Sequence, residues 1–169
     1  MNSKVGVTVL RGMMATVVFF MVAATASEAA PLKVQALISP KAESKLVFAD
    51  GSKRYLIATQ REGAVTGDGL LADTTMLEWG VHDVTPGSGA QGNGYLVFTS
   101  AEGDIAYLKY QFRALQVPVA EGKRRVLING HWEVVGGTGK FKGLRGAGTV
   151  QVKPLSPKER RWILEGELL

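Results

Sequence analysis

Between Asp104 and Leu115 the chain reads D-I-A-Y-L-K-Y-Q-F-R-A-L, with apolar residues at almost every second position. A period of two sends successive side chains to opposite faces of a strand. Ala106, Leu108, Tyr110 and Phe112 then share one face, and Tyr107, Lys109, Gln111 and Arg113 the other. In T-M-L-E-W-G-V-H-D-V the more apolar face carries Leu77, Trp79 and Val81, opposite Met76, Glu78, Gly80 and His82. In V-L-I-N-G-H-W-E-V-V, Ile128, Gly130, Trp132 and Val134 oppose Asn129, His131 and Glu133. The last run sets Trp162, Leu164, Gly166 and Leu168 against Ile163, Glu165 and Glu167. All three tryptophans thus fall on the apolar face of their run, and these faces are expected to point inward.

The other β-rich runs are Lys33–Ile38, Arg54–Gln60, Gly94–Ser100 and Gly146–Lys153, with a weaker one at Lys45–Ala49. Turn signals separate them at Asp50-Gly51, Gly67-Asp68-Gly69, Pro86-Gly87-Ser88-Gly89, Glu102-Gly103-Asp104, Glu121-Gly122-Lys123 and Pro154 to Pro157. Short strands at this spacing, with no amphipathic helix between them, predict an all-β sandwich or barrel. Pro86 to Gly94 is expected to be the most mobile loop.

The first 30 residues read differently. Lys4 and Arg11 precede an apolar run, Met13 to Ala26, and small residues follow at Ala24-Thr25-Ala26 and Ser27-Glu28-Ala29. That is the pattern of a secretory signal over residues 1–26, with cleavage as late as residue 30. The run is shorter than the roughly 20 apolar residues of a spanning helix. We expect an exported protein, periplasmic or secreted, with one domain over residues 31–169 and no stable membrane span after cleavage. The chain has no cysteine, which removes disulfides, thiolate metal sites and a cysteine nucleophile. Of 20 basic residues, loss of Lys4 and Arg11 leaves 18 against 15 acidic, a balance of +3. The clusters Lys123-Arg124-Arg125 and Lys158-Glu159-Arg160-Arg161 read as solvated turns. A basic face interleaved with aromatics is absent, so no nucleic-acid partner is expected.

The stretch V-V-G-G-T-G-K-F-K-G-L-R-G-A-G-T-V, Val134 to Val150, invites a nucleotide reading and fails it. Gly139-Lys140 is followed by Phe141 instead of Ser or Thr, Val134 stands in the place of the first Walker glycine, and Lys142 replaces a dinucleotide-fingerprint glycine. The stretch instead fits a tight strand reversal. Gly136, Gly137, Thr138 and Gly139 offer positive-φ positions, while Gly143, Gly146 and Gly148 relieve crowding at a bend. Lys140, Lys142 and Arg145 read as solvated hairpin charges.

This run, with Phe141, resembles the signature hairpin of the dirigent and allene oxide cyclase barrel superfamily. F-T-S-A-E-G-D-I-A-Y, Phe98 to Tyr107, is similar to the family's earlier hairpin. The resemblance covers about Gly94–Val152. It implies an eight-stranded antiparallel β-barrel, often trimeric, with a cavity for a small and largely apolar ligand. Trp79, Trp132, Trp162, Tyr110, Phe112 and Tyr55 are the expected ligand-facing residues. Asp83 and Tyr110 are the candidate acid and phenol on that face, for proton exchange or for orienting ligand oxygens. The pairs Glu78 with His82 and His131 with Glu133 are expected on the polar outer surface, because residues four apart on one strand stand about 13 Å apart. Two histidines among scattered carboxylates give no metal signature, and no cofactor is expected. The expected partner is a small apolar or phenolic molecule that the barrel binds or guides, with a homo-oligomer (dimer or trimer) possible. The alternatives are a cofactor-free cyclase or isomerase in the same cavity, or a structural barrel with a filled core.

Overall fold

The computed structural model describes residues 28–122 and 124–169. The expected signal segment, residues 1–26, lies outside them. Eight strands follow one another: β1 (Ala30–Val47), β2 (Tyr55–Asp68), β3 (Thr75–Thr85), β4 (Gly89–Thr99), β5 (Ile105–Pro118), β6 (Arg124–Gly137), β7 (Gly146–Pro154) and β8 (Arg160–Leu168). Each pairs antiparallel with the next, and β1 pairs with β8, so the sheet is a closed eight-stranded antiparallel barrel. Closure gives every strand two neighbours, although β1 runs past its β8 partner beyond Ile38 and β6 pairs with β7 only over Ile128 to Glu133.

The sequence period sets which residues face inward. Leu108, Tyr110, Phe112, Trp132, Trp162 and Leu164 are buried in one core cluster, as the alternation predicts. Three local expectations are corrected. Lys33–Ile38 and Lys45–Ala49 are not two strands but parts of β1, and the register shifts between Pro40 and Ala42, where proline removes a ladder donor. The predicted loop from Pro86 shrinks to a short turn, because β4 already begins at Gly89. Gly92 and Gly94 belong to β4, and a Cβ at Gly92 would strike the Phe112 ring. Gly67 and Asp68, read as a turn, end β2.

The glycine hairpin closes one end of the barrel. Thr138 donates its backbone N–H to Ile105 O at 2.7 Å, and its hydroxyl accepts from Ile105 N–H at 2.9 Å. The turn is thereby tied to the start of β5. A 3-10 turn at Gly139–Phe141 then drives Phe141 into the core. Gly139 has φ of +50°, and a Cβ there would overlap the Asp104 carboxylate, whose Oδ2 accepts from Lys140 N–H at 3.1 Å. Gly136 and Gly137 lie within β6 with no positive φ, contrary to the expected role; Gly137 is needed because a Cβ would meet Phe141. Gly143 adopts φ of +78° with open space around it, so it serves the turn and relieves no crowding. Gly148 does relieve crowding. It pairs with Gly166, and a Cβ on either would stand 2.7 Å from the Trp132 ring. Leu71, Phe141 and Leu168 fill this end.

Candidate functional site

The opposite end is open. A cavity of about 380 Å³ enters the barrel there, walled by Phe112 and Trp162, with Tyr55 near its lip and Arg61, His82 and Arg160 among its polar lining. Beneath His82 lies a set of polar groups inside the barrel. Glu78 is 0% exposed. Its Oε1 accepts from the Tyr110 hydroxyl at 2.7 Å and lies 3.0 Å from His82 Nε2. The Tyr110 oxygen is also 3.3 Å from His82 Nε2. Arg61 Nη1 stands 3.6 Å from Glu78 Oε2, and Arg61 Nη2 donates to Glu43 Oε1 at 2.6 Å. Among the described residues His82 Nδ1 has no hydrogen-bond partner. Burial, with the Glu78 charge next, pushes the Tyr110 phenol far above its ordinary range, so it remains a protonated donor.

The aromatic wall is a continuous stack. Tyr110 and Phe112 lie parallel with centroids 5.8 Å apart, and Trp162 meets Tyr110 edge-on at 4.9 Å. The His82 ring meets Phe112 edge-on at 5.0 Å. These are favoured geometries for aromatic pairs, and they fix the rings before any ligand arrives.

One strand of the sequence reading is inverted. Met76, Glu78, Gly80 and His82 face the interior, while Trp79 is 52% exposed and Val81 lies outside with it. The apolar count along β3 misleads because the interior polar groups find partners on other strands: Arg61 on β2 and Tyr110 on β5. A hydrogen-bonded set of this kind can occupy a core that unpaired polar groups could not. Gly80 is the local signal. A Cβ there would overlap the Tyr110 hydroxyl and stand 2.9 Å from Glu78 Oε1, so only glycine leaves room for the set.

Of the residues expected to meet a ligand, Tyr55, Phe112 and Trp162 line the cavity. Trp132 and Tyr110 lie inside the barrel away from that lining. Asp83 shares the outward face of Trp79 and does not enter the cup. It is bound by the Arg54 side chain through Nε at 2.7 Å and through Nη2. His131 and Glu133 are exposed, as expected, whereas Glu78 and His82 are not. Arg61 was missed because a lone arginine in T-Q-R-E gives no pattern. Arg160, read as part of a solvated charge run, is half-buried at the mouth, while Arg161 beside it is exposed.

The Arg54 pair has a consequence for pH. Hydrogen bonding to Arg54, helped by its charge, holds the Asp83 carboxyl below the usual carboxylate range. A depressed folded-state value contributes stability above the unfolded pKa that is lost as pH falls through the folded one. Asp83→Asn is expected to lower the melting temperature at about pH 7 and to converge with the parent near pH 2. Thermal melts across that range check it. A gap that persists undiminished in acid would exclude this pair as its source.

No family model matches the sequence, and no match is found among curated proteins. Solved structures do match. A protein of unknown function from Clostridium acetobutylicum ATCC 824 superposes with a TM-score of 0.53 at 12% identity, over 83% of this chain and 99% of that one. A β-barrel-like protein from Acinetobacter baumannii AYE gives 0.56 at 13% identity, over 86% and 99%. The likeness is one of fold. A pterocarpan synthase dirigent protein aligns over 94% of this chain and 96% of that one at 14% identity, with a TM-score of 0.45. At these identities the shared property is the β-barrel itself.

Proposed function

We propose that this protein binds or guides a small ligand with a largely apolar or phenolic body in the open end of its barrel. The observation that carries the reading is the cavity of about 380 Å³, walled by Phe112 and Trp162 and floored by His82 and Arg61. Ligand pockets are typically about 300–1,000 Å³, mostly apolar, with a few placed polar groups. The hairpin resemblance to the dirigent and allene oxide cyclase superfamily supports the same reading. Export through the N-terminal segment and self-association as a dimer or trimer belong to the proposal too.

Titration with a panel of phenols and short lipids, followed by tryptophan emission, tests the reading. At least one ligand is expected to give a saturable change that survives Trp79→Phe, because Trp79 faces outward, and that is lost in Trp162→Phe. A signal that vanishes with Trp79→Phe instead would place binding on the outer wall and reject the cup.

A second reading, a cofactor-free isomerase or cyclase, draws support from the buried Glu78–His82–Tyr110 set. With Nε2 held toward Glu78, His82 presents Nδ1 as the nitrogen able to exchange a proton with a ligand. This moves the candidate chemistry from Asp83 to His82. Full turnover of an identified substrate by His82→Gln would eliminate it.

A further inference from the structure

Among the described residues, three buried polar atoms near the cup have no hydrogen-bond partner, two of them donors and one an acceptor, Glu78 Oε2. Trp132 Nε1 donates to Thr149 O at 3.0 Å. The other buried tryptophan has no such outlet: Trp162 Nε1 is buried without an acceptor, and so is Arg61 Nε. A buried donor left unpaired costs about 1–3 kcal/mol.

The two carboxylates near the floor are engaged: Glu43 by Arg61, and Glu78 by Arg61, Tyr110 and His82. The second guanidinium at the cavity, Arg160, has no ion-pair partner among the described residues. Its Nη1 donates only to backbone carbonyls, Ser156 O at 2.5 Å and Glu159 O at 2.9 Å. Burial, with the neighbouring Arg61 charge next, lowers its pKa, and the Glu43 and Glu78 charges oppose that shift. Arg160 and Trp162 lie two apart on β8 and both line the cavity. The cation therefore sits beside the aromatic wall, at the mouth.

We propose that the cup selects an amphipathic organic carboxylate, with a compact aromatic body against Phe112 and Trp162 and its carboxylate on Arg160. This rests on the binding reading above and adds the head group to it. Guanidinium and carboxylate match in a two-pronged geometry that neutral oxygens do not offer. The negative charge would pair with Arg160, the guanidinium at the mouth that has no ion-pair partner among the described residues.

Three probes with one ring and one chain length isolate the head group: 3-phenylpropanoate, 3-phenylpropan-1-ol and 3-phenylpropylamine. In calorimetric titrations of the full chain, the acid is expected to bind about tenfold or more tightly than the alcohol, and the amine most weakly. Arg160→Gln is expected to weaken the acid about tenfold and leave the alcohol within about twofold. Arg160→Lys should recover part of the loss, because it restores charge without the fork. Tryptophan emission and melting temperature show that each variant is folded. Equal binding of acid and alcohol, or an acid affinity unmoved by Arg160→Gln, would overturn the carboxylate assignment and leave the cup reading standing. Absence of saturable binding by all three probes would overturn both.

Discussion

Glu78→Ala is expected to destabilise the protein by about 3–5 kcal/mol, among the largest effects of any single polar substitution here. The carboxylate is fully buried and gathers three partners from three strands. Removing it leaves the Tyr110 hydroxyl without its acceptor and the buried Arg61 with Glu43 alone. For a domain of this size the loss corresponds to a drop in melting temperature of about 10–20 °C. Glu78→Gln keeps the shape and one acceptor for Tyr110, so it is expected to cost clearly less. Thermal and denaturant melts of both variants, with Glu62→Ala on the outside as a reference, check the ranking. Equal losses for Glu78→Ala and Glu62→Ala would show that the interior set contributes nothing.

Trp132→Ala is expected to cost a similar amount, about 3–5 kcal/mol, for an unrelated reason. The Trp132 ring covers the place where Gly148 and Gly166 face each other across β7 and β8. Neither glycine has a side chain to fill the barrel there, and an added Cβ on Gly148 would stand 2.7 Å from the Gly166 Cα. Truncating the indole opens a void that the flanking backbones cannot close. It also leaves Thr149 O without its N–H donor. Denaturant titration measures the loss, and a value under about 1 kcal/mol would mean that the core recloses around the site.

How much of this was legible in the chain depends on what each strand carries. On β5 from Ala106 to Ala114, on β6 from Ile128 to Val134 and on β8 from Trp162 onward the inward residues are apolar, aromatic or glycine, so counting alternate positions gives the correct face. The turn chemistry marked most of the strand ends, and the glycine hairpin pointed to a barrel. On β3 the inward set is Met76, Glu78, Gly80 and His82, and hydropathy assigns it to solvent. The reason is physical. Partners that make a buried carboxylate tolerable sit on β2 and β5, about 17 and 32 residues away. No local window contains them. Arg160 escaped for a simpler reason: in K-E-R-R one arginine turns into the mouth and the next turns out, and a charge run looks the same either way.

The seam between β1 and β8 joins Ala30 to Leu168, almost the two ends of the described chain. Every other strand pair is local, a neighbour joined by a short connection. The last ladder therefore forms only when the C-terminal segment is present to meet the first strand, across the longest loop the chain can close. Until then both β1 and β7 present open edges able to pair with other chains. For a chain synthesised from its N-terminus, the barrel cannot close before β8 has emerged. Its final nine-residue strand is the latch that turns an exposed curved sheet into a sealed cup.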